Sequence, residues 1–291
     1  METTELLKKV RKIEIRTRGL ASQLFSGEYH SVFKGRGMAF SEVREYQVGD
    51  DVRSIDWNVT ARFNHPFVKI FEEERELTVM LLVDVSGSGD FGTAQQLKKD
   101  LAIEICAVLA FSAIQNNDKV GIIFFSDIVE KFIPPKKGRT HILRIVRELI
   151  NFKPEHTKTN IGEALRYLTS AIKKRSIAFV ISDFLDKQFE DALKIANKKH
   201  DVVAIRIHDQ REQNIPNIGL LRLVDGETGN VMWVDSSNKS TQDGFNRWLQ
   251  KKDEYLKIIL RRSGVDNIHI RTDQSYVQPL INFFRMREKR W

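Results

Sequence analysis

The chain has 291 residues, of which 41% are hydrophobic and 30% are charged, so it can bury a sizeable core beneath a well-solvated surface. Its net charge of +8 is compatible with nucleic acid, an anionic membrane or an acidic protein as partner, but selects none of them because the basic residues are spread along the sequence. The single cysteine, Cys106, excludes an internal disulfide and favours a reducing compartment.

The first 75 residues differ in pattern from the rest of the chain. A helix is predicted over residues 3–25, and residues 26–75 are polar and rich in Gly and Asp, with a short alternating strand at Phe67–Phe71. The N-terminus lacks the basic and apolar stretches of a secretory signal, and no apolar run reaches the roughly 18 residues that a membrane helix needs. We therefore expect a cytoplasmic protein without a membrane span, with an N-terminal segment over 1–75 and a main domain over 76–291.

From residue 77 onward, apolar runs of strand length alternate with helical patterns. Strands are predicted at 77–84, 120–126, 177–183, 201–207 and 267–271. Helices are predicted at 93–116, 139–151, 160–174, 187–199, 240–262 and 277–290. This alternation predicts the α/β class, with a doubly wound, mostly parallel sheet flanked by helices.

Two features interrupt the alternation. A short edge strand is predicted from Ile128 to Ile133, stopped by the two prolines that follow. A hairpin is predicted with strands at Leu220–Val224 and Val231–Val234, joined by a turn at Asp225–Gly229. The hairpin and the last helices form a C-terminal extension of the main domain.

Oxygen-bearing side chains follow two of the predicted buried strands. Asp84 ends the first strand and leads into Ser86 and Ser88, Asp183 ends the third buried strand, and Thr159 precedes a helix. Because ligands of an open parallel sheet bind outside the carboxyl ends of the strands, we expect these side chains to lie close together. Two carboxylates and three hydroxyls are hard ligands that suit Mg²⁺, with Mn²⁺ or Ca²⁺ as alternatives, and do not suit zinc.

The spacing of the first loop supports this interpretation. Alternate positions in Asp-x-Ser-x-Ser let a tight loop aim three side chains at one point, and Gly87 and Gly89 permit the turn. The alternative is that Ser86 and Ser88 only cap the following helix and that Asp183 is an ordinary polar residue at a strand end.

Together, Asp84, Ser86, Ser88, Thr159 and Asp183 resemble the metal-ion-dependent adhesion site of von Willebrand factor A domains. The resemblance implies a von Willebrand factor A-like, Rossmann-like fold. It also implies that the hydroxyls bind the metal directly, that the carboxylates often act through water, and that an acidic residue of a protein partner fills the open position. Such a site serves binding rather than turnover.

A second resemblance is carried by motifs of the N-terminal segment. They are Gly35-Arg-Gly-Met-Ala-Phe40, Arg44-Glu-Tyr46, Val48-Gly-Asp-Asp51, Arg53-Ser-Ile-Asp56-Trp57 and Ala61-Arg62. These motifs and the Gly226–Gly229 turn look like the bacterial domain-of-unknown-function family 58. Members of that family often accompany MoxR-type AAA+ ATPases, so the resemblance implies such an ATPase as partner and a chaperone-like or complex-maturation role.

Basic and acidic residues interleave in the same segment. They are Arg44, Asp50, Asp51, Arg53, Asp56 and Arg62. We predict that charge-assisted pairs among them dock the segment onto the A-like domain. A second binding surface is the alternative, and a second metal at the three aspartates is disfavoured because adjacent carboxylates usually point apart.

Two other function classes are weighed as alternatives. A metal-dependent phosphoesterase acting through Asp84 would need a second acid two residues later to protonate the leaving group, and Ser86 stands there. A basic nucleic-acid-binding protein is compatible with the charge, but no recognition motif supports it. The sequence therefore predicts a protein that is not an enzyme and does not bind nucleic acid.

Overall fold

The computed structural model describes residues 38–73, 77–92, 96–213 and 215–289. The chain divides into two compact units, a small one over Phe33–Leu77 and a larger one that includes Thr78–Trp291. The helix predicted at residues 3–25 lies outside the described residues.

The small unit is built on a two-stranded antiparallel ribbon. Its strands are β1 (Met38–Glu45) and β2 (Phe67–Glu73). Between them lie a 3-10 turn at Val52–Ser54 and helix α1 (Trp57–Phe63). Strand β2 was predicted, whereas β1 was missed because its sequence, MAFSEVRE, is interrupted by charged residues and shows no clear alternation.

The larger unit contains a six-stranded sheet in the order β10-β7-β6-β3-β4-β5. Its strands are β3 (Thr78–Asp84), β4 (Lys119–Phe125), β5 (Val129–Lys136), β6 (Ile177–Ser182), β7 (Asp201–His208) and β10 (Asp266–Arg271). Every pairing is parallel except that of β4 with β5. The predicted α/β class with a mostly parallel sheet is confirmed, since the central apolar runs form fully buried strands.

The edge strand departs from the prediction. Strand β5 does not stop at Pro134 and Pro135 but continues through both to Lys136, so the predicted end at Ile133 is wrong. In the sheet order, β5 lies at the edge next to β4. A proline in an edge strand costs no hydrogen bond of the ladder when its nitrogen, which carries no hydrogen, faces away from the neighbouring strand. The register also shifts between Val120 and Ile122, where the prolines pass.

Helices cover the sheet. In the described residues they are α2 (Lys98–Gln115), α3 (Arg139–Asn151), α4 (Ile161–Ala171), α5 (Glu190–Lys199), α6 (Gln210–Gln213), α7 (Lys239–Ser263) and α8 (Val277–Glu288). Helix α2 is buried on nearly all sides and contains Cys106, which is fully buried. The short α6 was not predicted. None of the described helices is both long and apolar enough to span a membrane.

The C-terminal helix is anchored by an ion-pair cluster. Arg287 is 8% exposed, and its guanidinium lies 2.8 Å from Asp201 and 3.0 Å from Asp266. Two carboxylates thus compensate the burial of the Arg287 charge. Phe283 and Phe284 of the same helix are buried.

The hairpin of the larger unit has strands β8 (Leu220–Val224) and β9 (Val231–Asp235). They pair antiparallel in register from Leu220 opposite Asp235 to Val224 opposite Val231, which confirms the predicted hairpin. The hairpin forms a sheet of its own.

Candidate metal-binding site

The first loop of the site follows β3 at the carboxyl edge of the sheet. Asp84 Oδ1 accepts a hydrogen bond from the backbone N–H of Ser86 at 3.0 Å, which folds the chain back at the strand end. A 3-10 turn follows at Gly87–Asp90. The hydroxyl oxygens of Ser86 and Ser88 lie 3.2 Å apart, so the alternate spacing does bring the two hydroxyls together.

The neighbouring strand β6 supplies the second half of the site. Strands β3 and β6 pair directly, and Ser182 Oγ donates a hydrogen bond to Asp84 Oδ2 at 2.6 Å. Asp183 follows and is 7% exposed. The predicted meeting of the two strand ends is therefore seen, and Ser182 is a further participant outside the predicted set.

A buried lysine neutralises Asp183. Lys98, the first residue of α2, is 4% exposed, and its Nζ lies 3.0 Å from Asp183 Oδ2 and 2.6 Å from Glu212 Oε1. Burial works to lower the pKa of Lys98, but the charges of its two acidic partners outweigh it and raise that pKa. Sequence reasoning missed this triad, because nothing local marks a lysine at a helix start as the partner of carboxylates 85 and 114 residues away.

The site is electrostatically suited to a cation. Burial of the carboxyl and the charge of Asp183 raise the pKa of Asp84 to about 7, against the hydrogen bonds from Ser182 and Ser86. Two carboxylates at the ends of neighbouring strands and a pair of hydroxyls form a hard oxygen donor set, which fits a divalent cation of the Mg²⁺ type. In the described part of the chain, no group of three or more His, Cys, Asp or Glu side chains is placed to hold a metal ion.

The remaining predicted ligand, Thr159, lies in a segment packed against the same loop. The backbone N–H of Gly87 donates to the carbonyl of Thr157 at 2.9 Å. Thr159 Oγ1 donates to Glu227 Oε1 at 2.7 Å, and Thr157 Oγ1 donates to the carbonyl oxygen of Glu227 at 2.7 Å. The turn of the β8–β9 hairpin therefore reaches the candidate site, which the sequence analysis did not foresee.

The hairpin turn approaches the loop so closely that only glycine fits. A Cβ added at Gly87 would lie 2.0 Å from the carbonyl oxygen of Gly226, and a Cβ added at Gly226 would lie 2.9 Å from the carbonyl oxygen of Gly87. Neither residue has a positive φ. The expectation that Gly87 serves the turn geometry is thus replaced by a steric reason, and a Cβ at Gly89 would meet nothing nearer than Lys99 Cβ at 3.9 Å.

A cavity of about 530 Å³ opens beside Asp183, between β7, α6 and α7. Its lining includes Arg206, His208 and the indole of Trp248. Arg206 is 9% exposed and pairs with Asp253 at 2.7 Å. No pattern in the sequence predicts that Arg206, His208 and Trp248 line one cavity, because they lie on separate elements that only the folded structure brings together.

Several charged residues of the small unit have partners within that unit. Arg44 makes two hydrogen bonds to the Asp50 carboxylate, at 2.8 and 2.7 Å, and this pairing holds the pKa of Asp50 below its usual range. Asp51 Oδ1 accepts from the backbone N–H of Arg53 at 2.9 Å. These contacts shape the turn after β1, and the docking of the segment onto the larger unit stays a prediction.

Asp56 and Arg62 lie at opposite ends of α1. Asp56 caps the helix by accepting from the backbone N–H groups of Asn58 and Val59, and it lies 3.5 Å from Lys69 Nζ. Arg62 lies in the last turn, where its charge complements the helix dipole. With capping and ion pairing engaging the three aspartates, the geometry gives no support to a second metal there.

The chain is similar to several known proteins. An uncharacterized protein of Mycobacterium tuberculosis is 29% identical over 292 residues, covering 99% of this chain and 92% of that protein. The conserved hypothetical protein BatB of Bacteroides thetaiotaomicron has 19% identity and a TM-score of 0.48, covering 74% of this chain and all of that one. Proximal thread matrix protein 1 of the mussel byssus, solved with a zinc-occupied MIDAS motif, has 19% identity and a TM-score of 0.37, covering 45% of this chain and 38% of that one.

A family model spans most of the chain and includes Asp84, Thr159, Asp183 and the hairpin turn. It matches residues 42–255 and carries the description "Protein of unknown function DUF58". The chain therefore belongs to the DUF58 family.

Proposed function

We propose that this chain is a non-enzymatic protein-binding module in which the loop after β3 holds a divalent cation and recognises an acidic residue of a partner. The observation that carries the proposal is the convergence of oxygen donors at the carboxyl edge of the sheet. Asp84, Ser86 and Ser88 lie in one tight loop, and Asp183 ends the adjacent strand. A parallel sheet places its ligands at this edge.

The roles of the residues follow from their chemistry. The hydroxyls of Ser86, Ser88 and Thr159 would bind the cation, and Asp84 and Asp183 would balance its charge, in part through water. When bound, a divalent cation supplies an electrophilic position for a partner carboxylate. Mg²⁺ is the proposed ion, with Mn²⁺ and Ca²⁺ as alternatives, because all the donors are oxygens.

Lys98 has a distinct role in this proposal. Its ammonium is held between Asp183 and Glu212, so it offsets part of the negative charge at the site without any metal. This ion pair holds the Asp183 carboxylate in place at the strand end. We therefore assign Lys98 as a positioning residue that prepares Asp183 for the cation.

The proposal assigns no catalytic group to the site. The position two residues after Asp84 is Ser86, whose hydroxyl contacts Ser88 and cannot act as the acid that an aspartyl phosphatase requires. For the partner, we propose a MoxR-type AAA+ ATPase, in a chaperone-like or complex-maturation role. The lone, fully buried Cys106 fits a reducing compartment, and we propose the cytoplasm.

Affinity capture tests the proposal. The tagged protein is mixed with the MoxR-type ATPase of its own organism in Mg²⁺ or in EDTA, and the Asp84→Ala variant is compared with wild type. Asp90→Ala is the matched control, because Asp90 is an exposed aspartate of the same loop. We expect capture that requires both Mg²⁺ and Asp84 but not Asp90. Equal capture by wild type and Asp84→Ala would refute metal-dependent recognition.

A further inference from the structure

The turn between β8 and β9 holds the side chain of Glu227 in a fixed position, and Asp225 stabilises that turn. Asp225 Oδ1 accepts from the backbone N–H groups of Glu227 at 2.9 Å and Thr228 at 3.4 Å, and Asp225 Oδ2 accepts from Thr228 Oγ1 at 2.8 Å. Gly229, with a φ of 71°, closes the turn by donating its N–H to the Asp225 carbonyl at 2.8 Å. The turn is thus stabilised by hydrogen bonds among its own residues, and Glu227 lies at its tip.

Glu227 contacts one of the predicted ligands of the candidate site, Thr159. Its Oε1 accepts from Thr159 Oγ1 at 2.7 Å, and its carbonyl oxygen accepts from Thr157 Oγ1 at 2.7 Å. The adjacent Gly226 lies against Gly87 of the metal loop, where either glycine would clash if it carried a Cβ. The turn is therefore hydrogen-bonded to the segment that carries Thr157 and Thr159, and it is in steric contact with the loop that carries Ser86 and Ser88.

Glu227 adds negative charge beside the candidate site. Its carboxylate lies close enough to Asp183 for the two negative charges to repel, and Lys98 is the ammonium that pairs with Asp183. Carboxylates brought together in a partly buried setting repel one another unless a cation lies between them. The position of Glu227 is therefore one that a bound divalent cation would favour.

We propose that Glu227 is an internal ligand of the candidate metal site, taking the position that a partner carboxylate would take, so that the hairpin closes the site until a partner displaces it. This inference rests on the proposed function. The proposed function assigns the open coordination position to a partner carboxylate. The further inference names Glu227, a residue of this chain outside the predicted ligand set, as a competitor for that position.

The hairpin buries so little apolar surface that it can move away from the site without unfolding the rest of the unit. Within β8 and β9, which are described in full, Leu221 and Val234 are partly buried and the other side chains are exposed, including Trp233 at 63%. The base is pinned by Ser236, whose Oγ donates to the carbonyl of Gly219 at 2.7 Å. Elements with little buried apolar surface open locally without global unfolding, so the tip can be released while the base stays in place.

Mn²⁺ binding, followed by electron paramagnetic resonance, tests the first part of the inference. The conservative variant Glu227→Gln keeps an oxygen that can accept from Thr159 and removes only the charge. We expect it to weaken Mn²⁺ binding by about 10- to 100-fold, the range seen when a group supporting a metal site is removed. Glu254→Gln, at an exposed glutamate of α7, is the matched control and should bind like wild type.

Hydrogen exchange and capture test the closure. We expect Mg²⁺ to slow amide exchange at Glu227 and Thr228 in wild type and in Glu254→Gln, and to leave it unchanged in Glu227→Gln. At saturating Mg²⁺, Glu227→Gln should also capture more of the ATPase than wild type, because the internal competitor is gone.

The outcomes separate the two proposals. If wild type binds no Mn²⁺, both fall. If wild type binds Mn²⁺ and Asp84→Ala does not, but Glu227→Gln binds as tightly as wild type and its hairpin still responds to Mg²⁺, then the site exists and the internal ligand is refuted.

Discussion

Replacing Gly87 by alanine should detach the hairpin turn from the candidate site. The added Cβ would lie 2.0 Å from the Gly226 carbonyl oxygen and 3.5 Å from Thr157 Cβ, so backbone must move. Overpacking of this kind costs about 1–3 kcal/mol. Two hydrogen bonds hold the turn: Thr157 donates to the Glu227 carbonyl and Thr159 donates to the Glu227 carboxylate. Their contributions are comparable with that cost, at about 1 kcal/mol for the neutral bond and 1.5–3 kcal/mol for the bond to the charged group.

The overpacking cost and the free energy of the two hydrogen bonds are similar. We therefore expect the turn to move away from the loop, rather than the whole unit to become strained. Hydrogen exchange follows this opening: the Glu227 and Thr228 amides bond to Asp225 within the turn, and their protection should fall as the turn loses its support from the loop, about tenfold for each 1.4 kcal/mol. Urea unfolding of the whole unit should change by less than about 1 kcal/mol, because the exposed hairpin opens independently. Gly89→Ala is the matched control and should alter neither quantity, since its Cβ meets only Lys99 Cβ at 3.9 Å. Unchanged protection in Gly87→Ala would show that the turn is not seated on the loop.

Three further predictions concern buried titratable groups. Lys98→Met should lower the free energy of unfolding by about 3–5 kcal/mol in urea titration, because Asp183 is left buried without its cation, and Mg²⁺ should restore part of the loss. The contribution of His200 to stability should fall on acidification. Burial holds the pKa of His200 at about 4, below its unfolded value, so the unfolded state takes the proton first and this contribution is lost as the pH falls from about 6.5 to 4. The raised pKa of Asp84 acts in the opposite direction, so the His200 contribution is measured by comparing wild type with His200→Gln in urea at pH 7 and pH 4.5; an equal pH dependence of the two proteins would contradict the assignment. Finally, Cys106 should react with a thiol reagent only after denaturation, since burial raises its thiol pKa and blocks access; rapid labelling of the native protein would contradict this.

Features that are continuous in sequence could be predicted. The apolar runs ending at Asp84 and Asp183 indicate buried strands whose ends share one edge, and they pair directly. The alternate serines converge because their spacing within one loop suffices to place them.

Features that depend on distant residues could not be predicted. Thr159 contacts Glu227 across 68 residues, and Lys98 contacts Asp183 across 85, with no local signal for either pairing. The continuation of β5 through Pro134 was missed because a proline stops a strand only where its missing donor is needed, which depends on the strand's position in the sheet.

The most direct test of the candidate site is the anomalous difference density of crystals grown with Mn²⁺. The proposed function predicts one Mn²⁺ peak in contact with the hydroxyls of Ser86 and Ser88, next to Asp84 and Asp183. Closure by the hairpin adds a contact from Glu227 to the same ion. A Mn²⁺ peak elsewhere, or none at this loop at saturating Mn²⁺, would contradict the metal-binding role assigned to the carboxyl edge of this sheet.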